Sequence, residues 1–292
     1  MSTLNAVIPA LDKALKRHGV RDIVLAAADD GSYKDFLRTY NGLSQESWEA
    51  IDRVNIHTYF HFNETTRPDA RDKIAGKEKN FWMSEVDGDG SLGKNSGEMG
   101  PCLWLAQRII DDVNGLRPSA WVIWLVVDRH YSDFDAKERG YAEPRLKYWG
   151  TAVADHFSKR LIIGKRYYAF GQFTRFIRPG DRIVGSSDFS VAAINPKQNK
   201  IVIVALNAEE SGKRVSFDLS AFRNPGTKAK AVRTSGLWNA GENWTEIDPV
   251  PVKNKRLDVV LAPYSITSFV VRGRRPLQWK RVALPESGNE KN

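Results

Sequence analysis

Cys102 is the only cysteine in 292 residues, so no internal disulfide can form and a cysteine-based metal cluster is excluded. A lone thiol with no histidine near it in sequence reads as a small buried hydrophobe, and redox chemistry falls away with it. Long apolar runs are missing as well, since nothing approaches the roughly 18 residues that a membrane-crossing helix needs. The opening segment MSTLNAVIPALDKALKRHGV lacks the unbroken apolar core of a secretory leader and reads as an amphipathic helix. No repeat of short period stands out. What remains is 41% hydrophobic and 27% charged, enough for cores in one large domain or two ordinary ones.

A formal charge of +9 would suit polyanions, but the lysines and arginines are spread along the chain. Their one dense cluster is RGRRPLQWKR, Arg272 to Arg281, which reads as part of a solvated basic tail over residues 275–292. No nucleic-acid partner and no membrane partner are expected.

The first 178 residues alternate strand-like apolar runs with longer helical patterns, the sequence form of a parallel α/β domain. A helix over Leu4 to His18, with Leu4, Val7, Ile8, Leu11 and Leu15 at three- and four-residue spacing, ends at Gly19. Four strands are expected: Asp22–Ala28, Arg53–Tyr59, Asn80–Glu85 and Ala120–Val127. A further helix runs from Arg166 to Arg178 and is stopped by Pro179-Gly180. Beyond it the texture changes to short alternating segments, Lys200–Leu206, Arg214–Leu219, Leu257–Leu261 and Ser265–Val271, separated by Asn, Gly and Pro turns. That spacing predicts an antiparallel β-sandwich over 179–274.

Polar and aromatic side chains gather at the C-terminal ends of the expected parallel strands: Asp29 and Asp30, His57 and Tyr59, Glu85, then Trp124 with Asp128. In parallel barrels that end carries the active site, because its loops converge on one mouth. Glu85 stands where a strand meets the glycine-rich stretch Val86-Asp-Gly-Asp-Gly90, behind Phe81 and Trp82. A carboxylate beside aromatic rings suits a sugar site, since rings stack on a pyranose face while the carboxylate attacks the anomeric carbon. A structural salt bridge is the competing reading of Glu85. Period-two alternation puts His57 and Tyr59 on one face, as hydrogen-bond partners to a sugar or to Glu85, or as satisfied core residues. A calcium loop at Asp87-Gly-Asp89-Gly matches the required ligand spacing poorly, and no metal or cofactor is expected.

Taken together, Asp29-Asp30, Val54-Asn-Ile-His-Thr-Tyr59, Phe81-Trp-Met-Ser-Glu85 and the late helix Tyr167-Tyr-Ala-Phe-Gly-Gln-Phe-Thr-Arg-Phe-Ile-Arg-Pro-Gly180 resemble glycoside hydrolase family 30, endo-β-1,6-galactanase type, from about residue 4 to about residue 273. The resemblance implies a (β/α)8 barrel of which this chain carries strands 5–8 in residues 1–178, followed by the sandwich. It implies a retaining hydrolase of β-linked sugars with β-1,6-galactan as the expected substrate, Glu85 as nucleophile and His57, Tyr59, Trp82, Trp124, Asp29 and Asp30 binding an oligo- or polysaccharide. It also implies an acid/base glutamate after strand 4, which this chain is expected to lack, as the one Asn-Glu pair, Asn63-Glu64, follows the sixth strand and reads as a surface loop. Where the family often has Trp-Gln in the eighth strand, this chain has Trp124-Leu125, and a substrate hydrogen bond is expected to be lost. A secreted parent enzyme is implied. Two strand edges left open by half a barrel are expected to pair with a second copy or with a complementary N-terminal half. The alternative function is a carbohydrate-binding remnant or half of a split enzyme, without proton donation.

Overall fold

The computed structural model describes residues 1–20, 22–87, 99–129, 149–155, 159–237 and 241–273. The expected basic tail and Gly88-Asp89-Gly90 of the glycine-rich stretch lie outside them.

The chain opens with helix α1 (Ser2–Arg17), whose Asn5 carboxamide oxygen accepts from the Ser44 amide at 2.8 Å and from the Ser47 hydroxyl at 3.0 Å. That contact docks α1 on the start of a later helix. Strand β1 (Ala26–Ser32) leads into α2 (Tyr33–Gly42), and Ser32 caps the helix by accepting from the Asp35 amide. Ser44 caps α3 (Gln45–Ala50) in the same way. Next come β2 (Arg53–Phe60), α4 (Thr66–Ala75), β3 (Asn80–Glu85), α5 (Met99–Gly115) and the two-residue β4 (Ala120–Trp121). These four strands form one parallel sheet in the order β1-β2-β3-β4.

The second and third expected strands are matched closely, and the outer two are corrected. β1 begins at Ala26, because the register Ala26↔Arg53 starts only after the Leu25 carbonyl has accepted from the Asp52 and Arg53 amides. Ile23 and Val24, apolar enough to suggest strand, lie exposed before it. Asp29 and Asp30 therefore sit inside the strand. At the other edge the ladder stops at Trp121, although the Val122 and Trp124 amides still donate to the Met83 and Val86 carbonyls.

Part of the expected fourth strand joins a different sheet. β5 (Val127–Arg129) pairs with β6 (Ala152–Asp155), which pairs with β7 (Arg160–Ile163), a three-stranded unit that hydrophobic periodicity did not reveal. Helix α6 (Lys165–Thr174) follows and is shorter than expected.

The strands described beyond it pair antiparallel: β8 (Arg182–Ser187), β9 (Ser190–Asn195), β10 (Lys200–Asn207), β11 (Lys213–Asp218), β12 (Lys228–Ser235), β13 (Glu242–Pro251), β14 (Arg256–Leu261) and β15 (Ser265–Arg272). Six of them form a sheet in the order β13-β12-β15-β10-β9-β8, and β11 pairs with β14. Strand β10 is buried along its whole length because it is covered on both faces. Val202, Val204 and Leu206 pack with Leu105, Ile109, Ala169 and Phe173 of α5 and α6, while Ile201, Ile203 and Ala205 pack with Leu257 and Leu261 of β14. Period-two alternation in one strand thus joins the α/β part to the antiparallel part.

The segment that carries much of the resemblance closes this joint. The Gln172 side chain hydrogen-bonds with the hydroxyls of Thr234 at 2.8 Å and Ser268 at 2.6 Å, and a Cβ on Gly171 would stand 2.0 Å from the Trp244 ring. Only glycine lets that ring reach the helix.

Candidate active site

Alternation on β2 buries Val54, Ile56 and Thr58 on the helix side and turns Arg53, Asn55, His57 and Tyr59 to the other face. On β3, Phe81 and Met83 are buried, and the register with β2 shifts so that His57 pairs with Glu85. This irregularity brings Ser84 and Glu85 together at the strand's C-terminal end, on the side of His57 and Tyr59.

The Tyr59 hydroxyl donates to Glu85 Oε1 at 2.9 Å, and His57 Nδ1 lies 3.7 Å from the same oxygen. On the far side of the ring, His57 Nε2 is 3.3 Å from Asp29 Oδ1, which also accepts from the Ser84 hydroxyl at 2.6 Å. Burial raises the Tyr59 phenol well above the usual range, and its bond to Glu85 adds to the shift. Tyr59 is therefore held as a neutral donor.

Asp87, which sequence reasoning considered only as a metal-loop ligand, belongs to this cluster. Its charge adds to the rise of the Tyr59 phenol, and burial pushes its own carboxyl up to about 6. The Arg166 and Arg108 charges oppose that rise while Glu85 reinforces it. The signal that could have found it is its position two residues beyond Glu85.

The other expected site residues are placed as follows. Asp30 turns away from the cluster toward α2, where its Oδ1 accepts from the Thr39 hydroxyl at 3.0 Å and burial raises its carboxyl. Trp82 lies lower on the open face, opposite Asn55 in register, with the Arg53 guanidinium 5.1 Å from its ring centre. Trp124 stands 49% exposed next to the end of β3, where its amide donates to the Val86 carbonyl at 2.9 Å. Asp128 accepts from the amides of Trp149 and Gly150. Asn63 and Glu64 lie on the exposed loop after β2, and the Asn63 carboxamide accepts from Thr65 and Thr66.

Behind β2 is a buried polar network that no sequence pattern announced. Fully buried Asp112 of α5 accepts from the Thr58 hydroxyl at 2.8 Å, Arg67 Nε at 2.8 Å and Trp121 Nε1 at 3.0 Å. Arg108 donates to the Thr58 carbonyl at 2.6 Å. Thr58 is thus gripped from the helix side at the point where its neighbours His57 and Tyr59 enter the site. Among the described residues, no group of three or more His, Cys, Asp or Glu side chains could hold a metal ion.

No family model matches the chain. It is 26% identical to an endo-β-1,6-galactanase of Hypocrea rufa, over 94% of this chain and 52% of that protein. It is 25% identical to an exo-β-1,6-galactobiohydrolase of Bifidobacterium longum subsp. longum, over 74% of this chain and 16% of that protein. Among solved structures, a family 30 endoxylanase from Clostridium papyrosolvens C71 superposes with a TM-score of 0.65 at 19% identity, over 91% of this chain and 61% of that one. A family 30 subfamily 8 xylanase from Clostridium acetobutylicum superposes with a TM-score of 0.66 at 19% identity, over 91% of this chain and 59% of that one. The chain is endo-β-1,6-galactanase-like in sequence and has the fold of family 30 glycoside hydrolases. It spans about half the length of the curated endo-galactanase it matches.

Proposed function

We propose that this chain carries the nucleophile half of a retaining glycoside hydrolase site of family 30 type, with Glu85 as nucleophile and β-1,6-galactan as the substrate class. The observation that carries the reading is the carboxylate of Glu85 at the end of a parallel strand, held at Oε1 by the Tyr59 phenol. A structural salt bridge would pair Glu85 with lysine or arginine; among the described residues its partners are a phenol and an imidazole. The sugar identity rests on the β-1,6-galactan activities named for the curated relatives.

In this mechanism a Glu85 oxygen attacks the anomeric carbon while the bond to the leaving oxygen breaks, giving a glycosyl ester. Water then attacks the same carbon and releases Glu85 as carboxylate. Both steps need a second carboxyl about 5–5.5 Å away, first to protonate the leaving oxygen and then to deprotonate the water. We assign that group to a segment facing Glu85 across the mouth, in a barrel where β1 to β4 serve as strands 5–8 and residues 179–274 form the accompanying sandwich. The open edges of β1 and β4 are where a complementary half or a second copy would pair.

The test is covalent trapping with a fluoro-β-galactoside carrying a dinitrophenolate, a leaving group good enough to need no acid. An adduct mapped by peptide mass spectrometry to Glu85, and absent from Glu85→Gln, is the expected result. Labelling without hydrolysis of β-1,6-galactan would mark the chain as competent in its nucleophile and dependent on a carboxyl from elsewhere. Failure to label Glu85 would overturn the assignment.

A further inference from the structure

Asp29 and Asp30 are adjacent, yet the structure gives them opposite duties, and the backbone shows how. The register between β1 and β2 runs Ala26↔Arg53, Ala27↔Val54 and Ala28↔Asn55, then skips Asp29 and resumes at Asp30↔Ile56. Asp29 itself takes the left-handed conformation, φ 60. Aspartate is one of the few non-glycine residues that enters this region readily. An extra residue in one strand of a pair bends that strand and re-aims a side chain. Here the irregularity sends Asp30 back to Thr39 on α2 and swings Asp29 across β2 toward β3.

The Asp29 carboxylate reaches protein groups. Its Oδ1 accepts from the Ser84 hydroxyl at 2.6 Å and lies 3.3 Å from His57 Nε2. The ring therefore spans from Asp29 on β1 to Glu85 on β3, with Nδ1 facing Glu85 Oε1 at 3.7 Å. An acceptor at Nε2 selects the ring orientation that directs Nδ1 at Glu85. Tyr59 and His57 both address Oε1 of Glu85.

We propose that Asp29 is a positioning residue that acts on Glu85 through the His57 ring, and that it does not bind sugar. The proposal rests on the reading of Glu85 as nucleophile. The groups facing His57 are Asp29 from β1, Tyr59 from its own strand and Glu85 from β3, so replacement of Asp29 removes the sole contact on the Nε2 side among the described residues.

The experiment compares Asp29→Ala, Asp29→Asn, His57→Ala and the Asp29→Ala/His57→Ala double variant with the wild-type chain. Two readouts are taken: the rate and half-saturation of labelling by the activated fluoro-galactoside, and the ring-nitrogen NMR signals of His57. With five histidines in the chain, His57→Ala assigns those signals by difference. Asp29→Ala is expected to slow labelling about 10²-fold, the scale of a misplaced reacting group, with half-saturation unchanged. Asp29→Asn keeps an acceptor oxygen and is expected to restore the rate to within a few-fold of wild type. The double variant is expected to be no slower than His57→Ala, since the two residues act in series. The His57 nitrogen signals should move in Asp29→Ala and hold in Asp29→Asn, a result that can be read even if Glu85 never labels. Raised half-saturation with an unchanged rate would make Asp29 a sugar contact and overturn the proposal. Additive losses, or NMR signals indifferent to Asp29→Ala, would overturn it equally.

Discussion

Tyr59 donates its hydroxyl proton to Glu85 Oε1 at 2.9 Å, and burial together with that bond keeps the phenol protonated. The phenol is thereby held as a donor on the proposed nucleophile. Tyr59→Phe removes the donor without changing the ring. We expect the labelling rate of Glu85 to fall roughly 10²-fold, as when one preorganised donor is deleted from a reacting centre. A rate within threefold of wild type would mean the phenol is spectator to the chemistry.

Asp87 makes stability depend on pH in a defined window. Its carboxyl rises from the ordinary 3.8 to about 6 in the folded chain, with burial as the leading cause. Because the folded state holds this proton more tightly than the unfolded state, the contribution is present below the unfolded value and lost as pH rises through about 6. Asp30 and Asp112 are raised as well and act with the same sign, so the difference between Asp87→Asn and wild type isolates the single group. Asp87→Asn should gain stability relative to wild type between these two pH limits, measured by urea unfolding across the range. An unchanged difference from acid to neutral pH would sink the idea.

Asp112 and Arg67 form a buried ion pair, with side chains 0% and 6% exposed. Removing one partner leaves the other charged group buried without compensation, so Asp112→Ala is expected to cost about 3–5 kcal/mol in urea unfolding. Thr58→Val, which deletes one donor to Asp112, should cost less. A loss below about 1 kcal/mol for Asp112→Ala would show that water compensates the guanidinium.

Two tryptophans separate sugar binding from folding. Trp124, exposed beside the end of β3, is expected to be the stacking ring, and Trp124→Ala should weaken galacto-oligosaccharide binding roughly tenfold, about 1.4 kcal/mol, with little change in unfolding. Trp82, half-buried beneath Arg53, should cost about 3 kcal/mol of stability when replaced by alanine. Calorimetric titration and urea unfolding on both variants decide this. The opposite pairing of effects would return Trp82 to the sugar site.

What the amino-acid order determined by itself is local. Strands β2 and β3 were legible because alternation repeats every second residue, and that same period puts His57 and Tyr59 on one face. The position of Glu85 was legible because a carboxylate at the end of such a strand, before glycines, is an unusual place for a charge; its proposed role as nucleophile comes from the resemblance of the surrounding segment. The late helix was legible from its spacing, although it ends at Thr174, ahead of the expected stop at Pro179-Gly180, and the reason for Gly171 and Gln172 emerged only when Trp244, Thr234 and Ser268 came into contact with them.

Tertiary structure alone decided how neighbouring residues divide their work. Asp29 and Asp30 are chemically identical and adjacent, and a register irregularity with a left-handed backbone at Asp29 sends one to the Glu85 cluster and the other to a helix. Asp87 was brought beside Arg108 and Arg166, and Asp112 beside Thr58 and Arg67, by packing between segments distant in sequence. The early end of β4 and the transfer of Val127–Arg129 to the β5-β6-β7 sheet follow from which backbone partners lie within reach. Hydrophobic periodicity reports which face of a segment is buried, but backbone pairing and charge burial depend on what lies across from it, and that is set only when the chain has folded.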